Sequence, residues 1–191
     1  MTNITIFGKG NMGTAIGNNF KDAGNQVNYI DAGDAVENIG EIVVLAVPYQ
    51  VAMGIAKANK AALAGKTVID ITNPLNFDTW DELVVPADSS AAAQIAAELP
   101  ESKVVKGFNT TFAGTLAAKK IGGSHTTTVQ LASDFDDAKQ AIIDALDGSG
   151  LKVMDSGKLK RARELEAFGF LQMTLAASEK ISWNGGFGVF D

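Results

Sequence analysis

Two periods of apolar patterning alternate along this chain. Short apolar runs rich in Val, Ile and Thr recur at Ile4–Gly8, Val27–Asp31, Ile42–Val47, Thr67–Thr72, Lys103–Phe108, Thr126–Ala132 and Leu151–Ser156. Several are continuous rather than alternating, as strands of a parallel sheet covered on both faces are. Helix-like stretches separate them. Asn11–Ala23 sets Met12, Ile16 and Phe20 on one face, with Gly24 where a C-terminal cap belongs. Val51–Ala64 is alanine-rich and helix-forming, and Ser89–Leu99 and Phe135–Leu146 follow. A longer helix is predicted from about Leu159 to Ser182, with Leu165, Phe168, Leu171 and Leu175 as its apolar stripe. The alternation predicts βαβ units with right-handed crossovers: an α/β fold with a doubly wound, mostly parallel sheet in three αβα layers. Residues 1–191 read as one domain, with a C-terminal helix and tail over 157–191. One connection is short: ten residues, Ala32 to Glu41, separate the second and third strands, fewer than a helical crossover normally takes.

The first strand runs directly into Gly8-Lys9-Gly10-Asn11-Met12-Gly13, a G-x-G-x-x-G turn that opens the first helix. The pattern alone is weak, but strand, turn and helix in register make it a dinucleotide-binding fingerprint of Rossmann-like type. The first glycine permits the tight turn, the second lets a pyrophosphate approach the backbone, and the third lets helix and strand pack closely. Free amides at the helix start then face the phosphates. Asp31, 18 positions after Gly13, ends the second strand. A carboxylate there accepts hydrogen bonds from the adenosine ribose and repels a 2′-phosphate. No Lys or Arg occurs between Lys21 and Lys57, so these residues favour NAD over NADP, with Lys9 the nearest local cation.

Composition narrows the class. Apolar residues make up 46% of the chain and charged residues 20%, and the mean hydropathy of +0.09 includes no apolar stretch long enough to span a bilayer. With no basic stretch ahead of the first apolar run, no signal peptide is expected. The absence of cysteine excludes disulfides, thiolate metal sites and a cysteine nucleophile. A net charge of −6 argues against nucleic acid as the main partner. A cytoplasmic protein without membrane or nucleic-acid partners is the expectation.

Longer stretches carry a resemblance. EIVVLAVPYQVAMGIA, LAGKTVIDITNPLNFD, KVVKGFNTTFAGTL and the C-terminal WNGGFGVF together resemble the deazaflavin-dependent NADP oxidoreductase family, to which bacterial dinucleotide-binding oxidoreductases are similar. The family implies hydride transfer between NADP(H) and a deazaflavin, or in some relatives a flavin. It implies that Ala46-Val47-Pro48 lies along the cofactor and that Thr72-Asn73-Pro74 and Phe108-Asn109 end the next two strands beside it. It also implies that Phe187 helps form the pocket for a small-molecule redox acceptor, and that the chain forms a homodimer with its tail near the interface. Two departures stand out. Asp31-Ala32 replaces the family's usual Ser/Thr-Arg pair, and the following segment is short. The residues point to NAD and the resemblance to NADP.

Each strand tip also has a plainer reading: Pro48 can start a helix, Asn73-Pro74 is a turn dipeptide, and Asn109 can cap a helix. No general base, metal cluster or catalytic triad stands out. His125, the single histidine, reads as a surface residue, and Asp134, Asp136 and Asp137 as an acidic first turn. Lys158, Lys160, Arg161 and Arg163 form a basic cluster, either a solvated face or a contact to an anionic coenzyme tail. Two other activities compete: reduction of a small imine or carbonyl, and non-catalytic NAD(P)(H) sensing.

Overall fold

Alternate residues of each central strand enter opposite cores, so the sheet must be covered on both faces. In the computed structural model, which describes residues 1–190, Ile42 and Val44 of β3 (Ile42–Leu45) join one apolar cluster while Val43 and Leu45 join the other. The five-stranded parallel sheet has the order β2-β1-β3-β4-β5, with β1 at Asn3–Phe7, β2 at Gln26–Ile30, β4 at Thr67–Asp70 and β5 at Lys103–Lys106. One face is covered by α1 (Asn11–Asp22), α5 (Ala113–Ala118) and α6 (Asp136–Leu146), with Phe20, Leu116 and Ile142 inward. The other is covered by α2 (Tyr49–Ala58), α3 (Lys60–Leu63), α4 (Ala91–Glu98) and α7 (Ala162–Ala177), through Ala52, Leu63, Ile95 and Ala162. This is the Rossmann-like three-layer α/β architecture expected from the sequence.

Four elements differ from expectation. The Val51–Ala64 helix is two helices parted at Asn59 (φ −121°), whose side chain donates to the Ile55 carbonyl at 2.9 Å. The last helix begins as a 3₁₀ turn over Leu159–Arg161 and ends at Ala177. The Thr126–Ala132 run breaks at Thr127. His125–Thr126 (β7) pairs with Lys120–Ile121 (β6) in a small hairpin, while Thr128–Leu131 (β8) runs parallel to Lys152–Asp155 (β9). Finally, α5 was not predicted, because only six residues form it. β8 lies beside β5 through a reciprocal antiparallel bridge between Lys106 and Ala132, at 2.8 and 2.9 Å.

The buried side of α7 also departs from the predicted stripe. Ala162, Leu165, Glu166, Gly169, Gln172 and Ala176 face inward, whereas Leu171 is half exposed. Apolarity alone does not mark this face, because a glutamate, a glycine and a glutamine lie on it. Gly169 has a steric reason: a Cβ there would lie 2.4 Å from Asn73 Oδ1 and 2.9 Å from the Asn109 carbonyl. The connection from β2 to β3 contains no helix, in keeping with its shortness.

Candidate active site

The carboxyl ends of the parallel strands converge on one cavity of about 840 Å³. Open α/β sheets bind ligands at this edge. One side is the glycine turn. Gly8 has φ +95°, and a Cβ there would lie 2.5 Å from the Ala46 carbonyl oxygen. A Cβ on Gly13 would meet the Gly8 carbonyl at 2.2 Å, so this glycine sets how closely α1 approaches β1. Gly10 is different: a Cβ would enter open space at the cavity edge, where Gly10, Asn11 and Met12 line the opening. Two of the glycines thus serve the fold, while the middle one keeps the mouth clear.

Ala46, Val47 and Pro48 follow β3 and line the next part of the wall. Pro48 is also the residue preceding α2, so its plainer role as a helix start holds as well. Beyond it, Tyr49 lines the cavity; its phenol is pushed above the ordinary tyrosine value by burial first, then by the charges of Glu166 and Asp70. It therefore stays a neutral donor at physiological pH.

Thr72, Asn73 and Asn109 form the floor. The two asparagines bond reciprocally. Asn109 Nδ2 donates to Asn73 Oδ1 at 2.9 Å and to the Leu165 carbonyl at 2.8 Å, while Asn73 Nδ2 donates to the Asn109 carbonyl at 3.0 Å. Thr72 Oγ1 and Asn109 Oδ1 are buried without a hydrogen-bond partner. Buried polar atoms are rarely left so, and both residues line the cavity. The open space at Gly10 and the neutral polar floor of Thr72, Asn73 and Asn109 suit a dinucleotide.

Beneath this floor lies an ion cluster that the sequence reading missed. Lys106 Nζ, fully buried, donates to Asp70 Oδ2 at 2.8 Å, Glu166 Oε1 at 2.8 Å and the Thr72 carbonyl at 2.5 Å. Asp70 Oδ1 accepts the Thr72 N–H at 2.9 Å. Glu166 accepts the N–H groups of Ala91 (2.8 Å) and Ala92 (3.2 Å) at the start of α4, where a helix favours negative charge. Burial holds the Glu166 carboxyl above the ordinary glutamate value, with Lys106 pulling the other way. A signal was present. Asp70 and Lys106 are charges at the ends of strands otherwise buried on both faces, and such charges require partners.

The far wall is aromatic. Phe112, Met173, Trp183 and Asn184 line it, with Phe77 at the rim. The Phe112 and Trp183 rings meet edge-on, with centroids 4.9 Å apart. Asn184 is tied to the hairpin by the Gly122 N–H to its carbonyl at 3.0 Å. No charged side chain lines the cavity among the described residues.

Several expected site residues lie elsewhere. Phe108 is wholly buried, its ring edge-on to Phe20 at 6.2 Å. Its φ of +63° is rare for a bulky residue and sends its side chain into the core while Asn109 turns to the cavity. Pro74 is buried behind the floor, its carbonyl accepting the Val84 N–H at 2.7 Å. Phe187 does not reach the cavity. The chain turns at Gly186 (φ +132°) and Phe187 packs on Phe168 of α7 at 5.1 Å, leaving Trp183 and Asn184 as the tail's contribution. Lys9 and Asp31 are exposed beyond the cavity, and the Lys9 ammonium lies 5.7 Å from the Tyr29 ring centre. His125 is exposed, with Phe190 against its ring. Asp136 and Asp137 occupy the first turn of α6. Of the basic cluster, Lys158 pairs with Asp136, Arg161 and Arg163 pair with Glu164, and none of the four lines the cavity.

A doubly wound sheet, a glycine turn at its first strand and a cavity along its carboxyl edge define a Rossmann-type dinucleotide-binding fold. Comparison with known proteins narrows this. Residues 20–74 match the family model for NADP oxidoreductase, coenzyme F420-dependent. The chain is 30% identical over 132 residues to an F420-dependent NADP reductase of Methanocaldococcus jannaschii, covering 67% of this chain and 58% of that one. It is 31% identical over 105 residues to the metalloreductase STEAP3 of Rattus norvegicus, covering 55% of this chain and 20% of the relative. This chain thus spans little more than half of the archaeal relative and a fifth of the rat one. A solved structure from Arthrobacter sp. FB24, provisionally named an F420-dependent NADP reductase, superposes over 100% of both chains with a TM-score of 0.84 at 24% identity, which shows a shared fold. Over these stretches the chain is similar to the coenzyme F420-dependent NADP oxidoreductases. Among its described residues no helix is long and apolar enough to cross a membrane.

Proposed function

We propose that this chain is a nicotinamide-dependent oxidoreductase that moves hydride between a dinucleotide and a small planar acceptor of the deazaflavin or flavin class. One observation carries the reading: a single cavity joins the glycine turn to an uncharged aromatic wall, where two ring systems would meet face to face. Gly10, Asn11 and Met12 would hold the pyrophosphate end. Thr72 Oγ1 and Asn109 Oδ1 would accept from the ribose and carboxamide. Ala46, Val47 and Pro48 would flank the nicotinamide ribose, and Phe112 and Trp183 would bound the acceptor ring.

When bound, the two cofactors supply the redox chemistry: one loses a hydride, two electrons with a proton, and the other gains it. The protein orients the rings and excludes water, which is where the rate gain of such a reaction lies. Tyr49 keeps its proton and serves as a neutral donor at the cavity wall. Because the wall carries no charge, the phosphate-bearing tail of a flavin or deazaflavin would extend into solvent. Similarity to an F420-dependent NADP reductase supports the acceptor class.

The purified chain, mixed anaerobically with NADH or NADPH and then with F420, FMN, FAD or a quinone, should reduce at least one acceptor with equal loss of reduced nicotinamide. Trp183→Ala should raise the acceptor KM several-fold with little change in dinucleotide affinity. Tight dinucleotide binding without reduction of any acceptor would refute the proposal and favour a sensor.

A further inference from the structure

The reading above leaves open which dinucleotide the chain takes. We infer that it selects NAD(H) against NADP(H) through two carboxylates, Asp31 and Asp34, at the tip of β2; the inference rests on the proposed dinucleotide site. The tip adjoins the glycine turn directly, because the Gly8 N–H donates to the Ile30 carbonyl at 2.9 Å. The next residue is Asp31, at the position where a Rossmann-type fold meets the adenosine ribose.

The loop after Ile30 is folded on itself. Asp34 Oδ2 accepts the Asp31 N–H at 2.8 Å, and the Asp34 N–H donates to the Asp31 carbonyl at 3.1 Å. Asp31 Oδ1 accepts the Ala32 N–H at 3.0 Å. Both carboxylates are therefore fixed at the tip, and both are exposed. Glu37 follows in the same short connection. No Lys or Arg lies anywhere from residue 22 to 56 to offset them.

A ribose diol can donate to these oxygens. A 2′-phosphate brings about −1.5 to −2 of charge and no donor, so it meets repulsion and leaves the carboxylates unpaired. The nearest cations are placed for another purpose: the ammonium groups of Lys9 and Lys21 lie 5.7 and 5.3 Å from the Tyr29 ring centre, on the face that β2 turns toward α1. The short connection adds nothing else. Spanning Asp31 to Glu41 without a helix, it provides no second wall from which an arginine could reach a phosphate. In this respect the chain departs from the coenzyme named by the family model that its residues 20–74 match.

Isothermal titration of the protein with NADH and with NADPH, without any acceptor, tests the inference apart from catalysis. NADH should bind at least about tenfold more tightly at low salt, and the ratio should shrink as salt screens the carboxylates. Asp31→Ser/Asp34→Arg, both at exposed positions, should lower the ratio to unity or reverse it. Lys9→Ala should leave it unchanged. NADPH binding as tightly as NADH to the wild type overturns the inference alone, as does a ratio insensitive to the double substitution. Failure of both nucleotides to bind overturns the proposed dinucleotide site, and the preference with it.

Discussion

Two layers at the carboxyl edge of β4 and β5 handle polar groups in opposite ways. In the lower layer, Lys106, Asp70 and Glu166 are all buried, and each charge is matched by another charge or by backbone amides. In the upper layer, Thr72 and Asn109 carry no charge, yet each holds a buried oxygen with no partner. The lower layer is complete by itself and the upper one is not. The molecule spends its buried charge on holding the strand tips still and presents a neutral surface to whatever enters. Thr72 connects the two: its N–H and carbonyl are held from below, and its hydroxyl is unpartnered above.

The strongest way to break this contrast is Lys106→Met. It strands two carboxylates in the interior and should lower unfolding free energy by about 3–5 kcal/mol, read from urea midpoints. A loss below about 1 kcal/mol would mean that the cluster is not a support. Gly13→Ala comes next: with the Gly8 carbonyl 2.2 Å from the new Cβ, it should cost about 1–3 kcal/mol and weaken dinucleotide binding more than tenfold. Gly10→Ala is its partner experiment. A Cβ there meets nothing, so stability should hold within about 0.5 kcal/mol while binding still weakens.

Thr72→Val removes the unpartnered hydroxyl and should leave stability unchanged or slightly raised. Dinucleotide affinity should fall by a factor matching about 0.5–1.5 kcal/mol. The smallest effect concerns pH. Burial raises the folded-state pKa of Glu166, so its contribution to stability is present below the ordinary glutamate value and is lost as pH rises through the raised one. A carboxyl-carbon NMR titration should therefore find Glu166 ionising above exposed glutamates. Asp155, held low chiefly by its bond to Lys139, works in the opposite sense, its contribution vanishing as pH falls.

The upper layer was far more legible in the sequence than the lower. Gly8 to Gly13, Ala46 to Pro48 and Thr72 to Asn73 sit at strand ends, and strand ends are readable from apolar runs. The lower layer depends on contacts far apart in sequence. Glu166 and Gln172 look like solvent-facing residues of an amphipathic helix, and only their spacing from Ala162, Gly169 and Ala176 places them inside. That same spacing explains why only part of the predicted stripe is buried: Leu165 lies on the inward face while Leu171 turns outward. Phe187 lies outside the cavity for a local reason: the Gly185-Gly186 turn separates it from Trp183, and it packs on Phe168.

The aromatic wall also makes the molecule self-reporting. The chain has two tryptophans. Trp183 lines the cavity, and Trp80 stacks edge-on against Phe77 at its rim, with ring centres 5.5 Å apart. Indole emission overlaps the absorption band of a reduced nicotinamide, so intrinsic fluorescence should quench by energy transfer whenever that ring enters. Occupancy can then be followed in real time without a label, through both indoles.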